Sequence, residues 1–282
     1  MSIITSHELA RFYELYRRTE VTFTKQVAEA TGLQPQTVLL KVGGSQWPCV
    51  LYSCSMVGAR IVMTVRSDFS ETLQIGGGHL SLRLAFKRPD KTDPISFYVS
   101  GKSTGLSPYS PQNPAVQLLT IEFGSRPSDE LIQILGVLLE ANANAQRRRE
   151  ERIPLTPENL KRLGLESRDC HAAVQGAGHR GILRDLSFSG AKVLVAGASP
   201  AFVGQPVALR IARSEAAEEI TLWGEVARIE EVSGHPDIGA LGIRFLGEPP
   251  VSYKLMISGF LSGSRRVAEQ RPTRPSDLRI GG

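Results

Sequence analysis

A chain of 282 residues is long enough for about two domains of ordinary size, each burying a core of its own. With 41% hydrophobic and 22% charged residues, the composition excludes an intrinsically disordered chain, and no run reaches the roughly 18 apolar residues of a membrane-spanning helix. The formal net charge of +5 modestly favours anionic partners such as nucleotides, nucleic acid or acidic lipid.

The segment from Met1 to Thr22 is amphipathic and charged, unlike a signal peptide, so a cytoplasmic location without membrane insertion is expected. The three cysteines, Cys49, Cys54 and Cys170, are too few and too scattered for a disulfide framework and read as reduced packing residues. Cys170 stands beside His171 with His179 nearby, but no second cysteine pair has a zinc spacing, so no metal is expected.

The chain opens with a predicted helix over Ser6–Arg18, with Ser6 as its N-cap and Leu9, Phe12, Tyr13 and Tyr16 on one face. Short β-type runs follow at Val38–Val42, Cys49–Ser53, Arg60–Thr64, His79–Phe86, Ile95–Ser100 and Gln117–Phe123, separated by turn residues at 43–44, 76–78, 87–94 and 107–114. Six short strands at this spacing indicate a small barrel or sandwich. Gly76-Gly77-Gly78-His79 lacks the Lys-Ser/Thr and the helical start of a phosphate cradle and reads as a hairpin turn.

Pro127-Ser128-Asp129-Glu130 then opens a helix with acidic residues in its first turn and Leu131, Ile132, Leu135, Leu138 and Leu139 as its apolar stripe. It runs through alanines to Gln146 and into an arginine cluster, with Pro154 as its latest stop. A second β-rich block begins at Ile153, with strands expected at His171–Val174, Gly181–Leu186, Ala191–Val195, Pro206–Ala212, Glu219–Glu230 and Ala240–Leu246. Val207, Leu209 and Ile211 alternate as in a half-buried strand. Pro249-Pro250 introduces a last helix with Leu255, Met256, Phe260 and Leu261, and the basic, proline-bearing tail after Gly263 reads as unstructured.

Two features carry chemistry. Residues 147–152 hold four arginines, of which only Arg148 and Arg152 have the four-residue spacing that would stack two guanidiniums on one helix face, if the helix extends that far. Taken alone, the cluster is explained as a solvated helix end balanced by Glu150 and Glu151. A ligand with two phosphates would instead turn the repulsion into charge-assisted hydrogen bonds, and guanidinium also suits the O6 and N7 acceptors of guanine. Downstream, Asp185-Leu186-Ser187-Phe188-Ser189-Gly190 lies between two β-type runs. Its residues are ordinary turn formers, with Gly190 free to supply a positive φ. Functionally, Asp185 can accept from guanine N1 and N2, Ser187 can meet phosphate or ribose, and Gly190 leaves the backbone open to a ligand.

Arg148-x-x-x-Arg152 followed by Asp185-x-Ser187-x-x-Gly190 resembles the paired motif of the PilZ domain, the bacterial receptor module for the second messenger cyclic di-GMP. The similarity continues through Ile153-Pro154, Trp223-Gly224-Glu225-Val226-Ala227-Arg228 and Gly239-Ala240-Leu241-Gly242-Ile243-Arg244-Phe245. It implies a six-stranded antiparallel barrel with a C-terminal helix, and cyclic di-GMP held by Arg148, Arg152, Asp185, Ser187 and Gly190, with Arg147 as a further contact. Arg126-Pro127-Ser128-Asp129-Glu130-Leu131-Ile132 resembles the PilZ-like N-terminal domain of spirochaete members, but no second pair of motifs precedes Arg126.

The expected fold is therefore mainly β: two small antiparallel β-barrels joined by an α-helix, plus terminal helices. The expected domains are a PilZ-like N-terminal barrel at 1–126, a linker helix at 127–146, a PilZ domain at 147–263 and a basic disordered tail at 264–282. No histidine spacing or nucleophile elbow marks a catalytic site, so no enzyme activity and no cofactor are expected. The expected role is a cyclic di-GMP receptor that alters its interdomain arrangement and signals to a downstream protein in motility, virulence or gene regulation. The alternative is a nucleic-acid-binding regulator using the basic junction and tail, although no stacking platform or reading helix accompanies the charge.

Overall fold

The computed structural model describes residues 4–65, 67–88, 92–214 and 219–269. The chain divides into two compact units, the first ending at Ala143 and the second beginning at Asn144.

The first unit begins with α1 (Ser6–Tyr16), whose cap is Thr5 rather than the expected Ser6. Thr5 has extended backbone angles, and its hydroxyl accepts from the Glu8 amide while the Glu8 carboxylate accepts from the Thr5 amide. Leu9 and Phe12 are buried, whereas Tyr13 and Tyr16 are only half-buried. Then come β1 (Val21–Thr22), α2 (Lys25–Thr31), β2 (Leu39–Val42), β3 (Ser45–Pro48), β4 (Val50–Cys54), β5 (Gly58–Thr64), α3 (Ser67–Ile75), β6 (His79–Phe86), β7 (Ile95–Ser110) and β8 (Asn113–Phe123). They form one eight-stranded antiparallel sheet in the order β1-β4-β5-β8-β7-β6-β2-β3. β3 and β4 are separated by Cys49 alone, so one nearly continuous strand passes from the β3 edge of the sheet to a place beside β1 at the other edge.

Several expectations change here. β7 and β8 run on through the segment 107–114 read as a turn, making a long hairpin. Gly76–Gly78 is not a hairpin turn but the exit of α3 into β6, with Gly77 and Gly78 at φ of 60° and 76°. Neither α2 nor α3 was expected.

α4 (Asp129–Arg147) buries Leu131, Ile132, Leu135, Leu138 and Leu139 as its pattern predicts. Gly136 lets Phe12 of α1 lie on the α4 backbone, since a Cβ there would stand 2.3 Å from the Phe12 ring. Arg11 donates to Glu140 at 2.6 Å one turn further along.

The second unit contains β9 (Ile153–Pro154), α5 (Pro157–Leu163), β10 (Leu165–Val174), β11 (Ala177–Leu186), β12 (Gly190–Ala196), β13 (Pro206–Arg213), β14 (Glu219–Glu231), β15 (Ile238–Phe245) and α6 (Val251–Glu269). Strands β10-β13-β14-β15-β12-β11 pair in a circuit that returns to β10, giving a closed six-stranded antiparallel barrel, with β9 added beside the end of β11. Closure satisfies the backbone groups that an open edge would leave unpaired. The barrel is filled by inward residues including Leu183, Val193, Leu209, Ile211, Leu222, Val226 and Leu241.

The short helix α5 was not expected, although it carries the usual signals: Thr156 as cap, Pro157 at its first position and Gly164 at φ 66° beyond its end. Of the expected stripe of Leu255, Met256, Phe260 and Leu261, only Leu261 is fully buried, while Met256 and Phe260 pack partly buried against the core. The face turned into the core is Tyr253, Ile257 and Leu261, four residues apart, of which Tyr253 and Ile257 were not expected. α6 also continues to Glu269, six residues into the segment expected to be unstructured, and the remainder of that tail lies outside the described residues.

Candidate functional site

The arginine cluster sits where α4 ends. Arg147 is the last helical residue and is exposed; Arg148 still donates its amide to Asn144 O at 2.8 Å, and the chain then turns, with the Glu151 amide bonded to Arg148 O at 3.0 Å. Ile153 and Leu155 are buried, and β9 pairs Pro154 with Asp185 and Ile153 with Leu186. Burial of these two side chains fixes the turn against the end of β11. Because the helix stops at Arg147, Arg148 and Arg152 do not stack on one helix face as their spacing would allow.

Each arginine instead holds a carboxylate. Arg148 donates through Nε and Nη2 to the two oxygens of Glu151, at 2.6 and 2.8 Å. Arg152 donates through Nη1 to Asp185. The pair built from one residue of each motif is therefore already formed.

The turn from β11 to β12 is organised by Ser187, which is buried. Its hydroxyl accepts from the amides of Gly190 at 3.1 Å and Ser189 at 3.3 Å and donates to Gly190 O at 3.2 Å. The Tyr253 hydroxyl donates to Ser187 O at 2.7 Å, and burial pushes that hydroxyl well above the ordinary tyrosine range, so it stays a donor. The Ser189 amide also reaches Arg149 O at 3.2 Å, tying the arginine segment to the turn through backbone.

Gly190 does not have the positive φ that its place in a turn invites. Its need is space: a Cβ there would lie 2.3 Å from Ile243 O on β15. Of the second motif, only Asp185 presents a partly exposed polar group; Ser187 and Gly190 are turned toward the protein.

Strand register adds residues to which the sequence reading gave no site role. Asp185 lies opposite Lys192, Lys192 opposite Gly242, and Gly242 opposite Arg228, forming one row across β11, β12, β15 and β14. Arg228 lies flat over Gly242, where a Cβ would come within 2.9 Å of its Cγ. Glu230 accepts from Lys192 at 2.5 Å and from Arg228 at 2.8 Å, and these two hydrogen bonds hold its carboxyl down at about 2. In the adjacent row Arg244 lies opposite Gly190 and pairs with Glu225. The outer barrel face beside Asp185 thus carries three cations, Lys192, Arg228 and Arg244. Arg228 and Arg244 stand in the strand segments that carry the family resemblance, while Lys192 shows in the sequence only as a charge at an outward position of an apolar strand.

The three cysteines are buried, and burial pushes each thiol up to about 12, so they remain protonated packing residues. Among the described residues no group of three or more His, Cys, Asp or Glu side chains is placed to hold a metal ion, and no helix is long and apolar enough to cross a membrane.

A closed six-stranded barrel with an arginine turn ahead of its first full strand and an Asp-Ser-Gly turn bonded to it defines a PilZ-type domain. Comparison with known proteins agrees: residues 7–142 match the PilZN3 domain and residues 146–261 the PilZ domain. A protein of Treponema denticola, described as a cyclic di-GMP binding protein, is 35% identical over 269 residues, covering 95% of this chain and 86% of that protein. The chain belongs to the family of two-domain PilZN3–PilZ proteins. Among solved structures, the Borreliella burgdorferi PlzA protein in complex with c-di-GMP is 25% identical, with 90% of this chain and 98% of that chain covered and a TM-score of 0.42. The PilZ domain of YcgR from Escherichia coli with c-di-GMP is 22% identical, covering 44% of this chain and 96% of that chain, with a TM-score of 0.31.

Proposed function

We propose that this chain is a receptor for cyclic di-GMP, not an enzyme, and that it holds the dinucleotide between the Arg148/Arg152 segment and the face of the barrel beside Asp185. The observation that carries this reading is the join between the two motifs: Arg152 pairs with Asp185, and the Ser189 amide bonds to Arg149 O. A ligand that offers guanine N1 and N2 donors to Asp185 and phosphate oxygens to the arginines replaces one charge-assisted contact by several. Arg147, exposed at the end of α4, is a further contact. Ser187 and Gly190 belong to the site by holding the turn that aims Asp185. Calorimetric titration of the full chain with cyclic di-GMP is expected to give saturable binding that a matched concentration of GMP does not displace. No binding at any accessible concentration would rule the reading out.

The first domain, 1–126, lacks a pair of motifs of its own and serves as a docking partner, and the helix at 127–146 links it to the PilZ domain at 147–263. Since α4 runs directly into the arginine turn, ordering that turn around a ligand restricts the first domain relative to the second, and a downstream protein reads the change. Energy transfer between dyes on the two domains is expected to shift and narrow on adding cyclic di-GMP; an unaltered distribution at saturation would refute the switch while leaving the binding reading intact. No observation favours the nucleic-acid alternative. It drew on the basic junction at 147–152 and on the tail arginines, of which Arg271, Arg274 and Arg279 lie outside the described residues.

A further inference from the structure

We infer that Glu151 sets the affinity of this site by occupying Arg148 in place of the ligand, an inference that rests on the binding reading above. Glu151 belongs to neither motif. Both of its carboxylate oxygens nonetheless face the Nε and Nη2 edge of Arg148, at 2.6 and 2.8 Å, in the two-point geometry that a phosphate or a guanine edge would need. One guanidinium edge cannot serve both partners. The ligand therefore meets an arginine whose binding edge is filled by a carboxylate three residues along the same turn.

The placement distinguishes Glu151 from its neighbour. Arg148 is well covered, with 17% of its side chain exposed, and Glu151 is at 44%, so water does not fully screen the pair. Glu150 is 77% exposed and stands 4.0 Å from Arg149, an arginine outside the motif. The two glutamates carry the same charge at nearly the same distance along the chain, and only one of them fills a motif arginine.

A pair of this exposure leaves Arg148 free for roughly a sixth to two-fifths of the time, and apparent affinity falls to that fraction of its intrinsic value. Glu151→Gln, which keeps the shape and removes the charge, is expected to tighten cyclic di-GMP binding by about two- to sixfold. The gain is expected mainly in the association rate, because the competing contact belongs to the free state.

The test is a set of calorimetric and kinetic titrations of the full chain with cyclic di-GMP, comparing the native protein, E151Q, E150Q, R148A and R148A/E151Q. The expected pattern is tighter binding for E151Q, no change for E150Q, and equal affinities for R148A and R148A/E151Q. E151Q binding no tighter than the native chain, or E150Q tightening as much as E151Q, overturns the role of Glu151 and leaves the site itself standing. If the native chain and E151Q both fail to bind while their melting curves show a folded protein, the reading of the site falls and this inference falls with it.

Discussion

Replacing Arg148 and Arg152 together by alanine is expected to weaken cyclic di-GMP binding by at least about 100-fold, and calorimetric titration at fixed salt measures it. A hydrogen bond to a charged group contributes about 1.5–3 kcal/mol, and two arginines lost together remove about 3–6 kcal/mol, or roughly two to four decades of affinity. The fold should survive the change. Both side chains lie on a turn outside the barrel core, and what remains is Asp185 and Glu151 without their cations, each with access to water. A stability loss of about 1 kcal/mol or less is expected from two such part-exposed pairs. Thermal melting of the double variant separates the effects: a small shift in Tm with a large loss of affinity assigns the arginines to the ligand, and undiminished affinity would refute the assignment.

Gly190→Val is expected to produce the opposite combination, with stability lost first and binding lost as a consequence. The missing side chain is not a concession to the ligand, because its space is filled by Ile243 O, 2.3 Å from where a Cβ would stand. No heavy atoms pack at that distance, and both are fixed by the β12–β15 ladder, where Gly190 lies opposite Arg244 and Ala191 opposite Ile243. The strands must separate locally, and the Ser187 hydroxyl bonds to Gly190 move with them. Overpacking of this kind costs about 1–3 kcal/mol, more where buried hydrogen bonds break as well. For a barrel of this size that is a fall in the Tm of the PilZ domain of about 5–15 °C by calorimetry. Gly259→Ala, with nothing within 4 Å of the added Cβ on α6, is the control and is expected to leave Tm unchanged or slightly raised. An unchanged Tm for Gly190→Val would mean that the close approach to β15 does not constrain this position.

Much of this was legible before the structure. All six strands from β10 to β15 were located as short β-type runs, β10 with its first six residues missed, and β13 and β14 showed the period-two alternation that one dry and one wet barrel face impose. The two motifs were legible as residue types at fixed spacings. What was not legible depended on contacts distant in sequence. α6 turns Tyr253 and Ile257 inward along with the expected Leu261 because the core beneath it chooses that face, although Leu255 and Phe260 looked equally suitable. The helix before the arginines stops at Arg147 because β9 must pair with the end of β11, and this separates two arginines that an unbroken helix would have stacked. Ser187 and Gly190 matched the motif, but their burial, and hence their work inside the turn, follows from Tyr253 and Ile243 on elements far along the chain. Lys192, Arg228 and Arg244 come beside Asp185 only through strand register.

The central claim is that one ligand joins the arginine turn to the barrel face, and a crystal structure of the full chain grown with cyclic di-GMP tests it most directly. The expected result has Arg148 and Arg152 within hydrogen-bond distance of phosphate or guanine, Asp185 accepting from a guanine edge, and Arg152 released from Asp185. Density for the dinucleotide elsewhere on the chain, with the Arg152–Asp185 pair intact, would contradict the account.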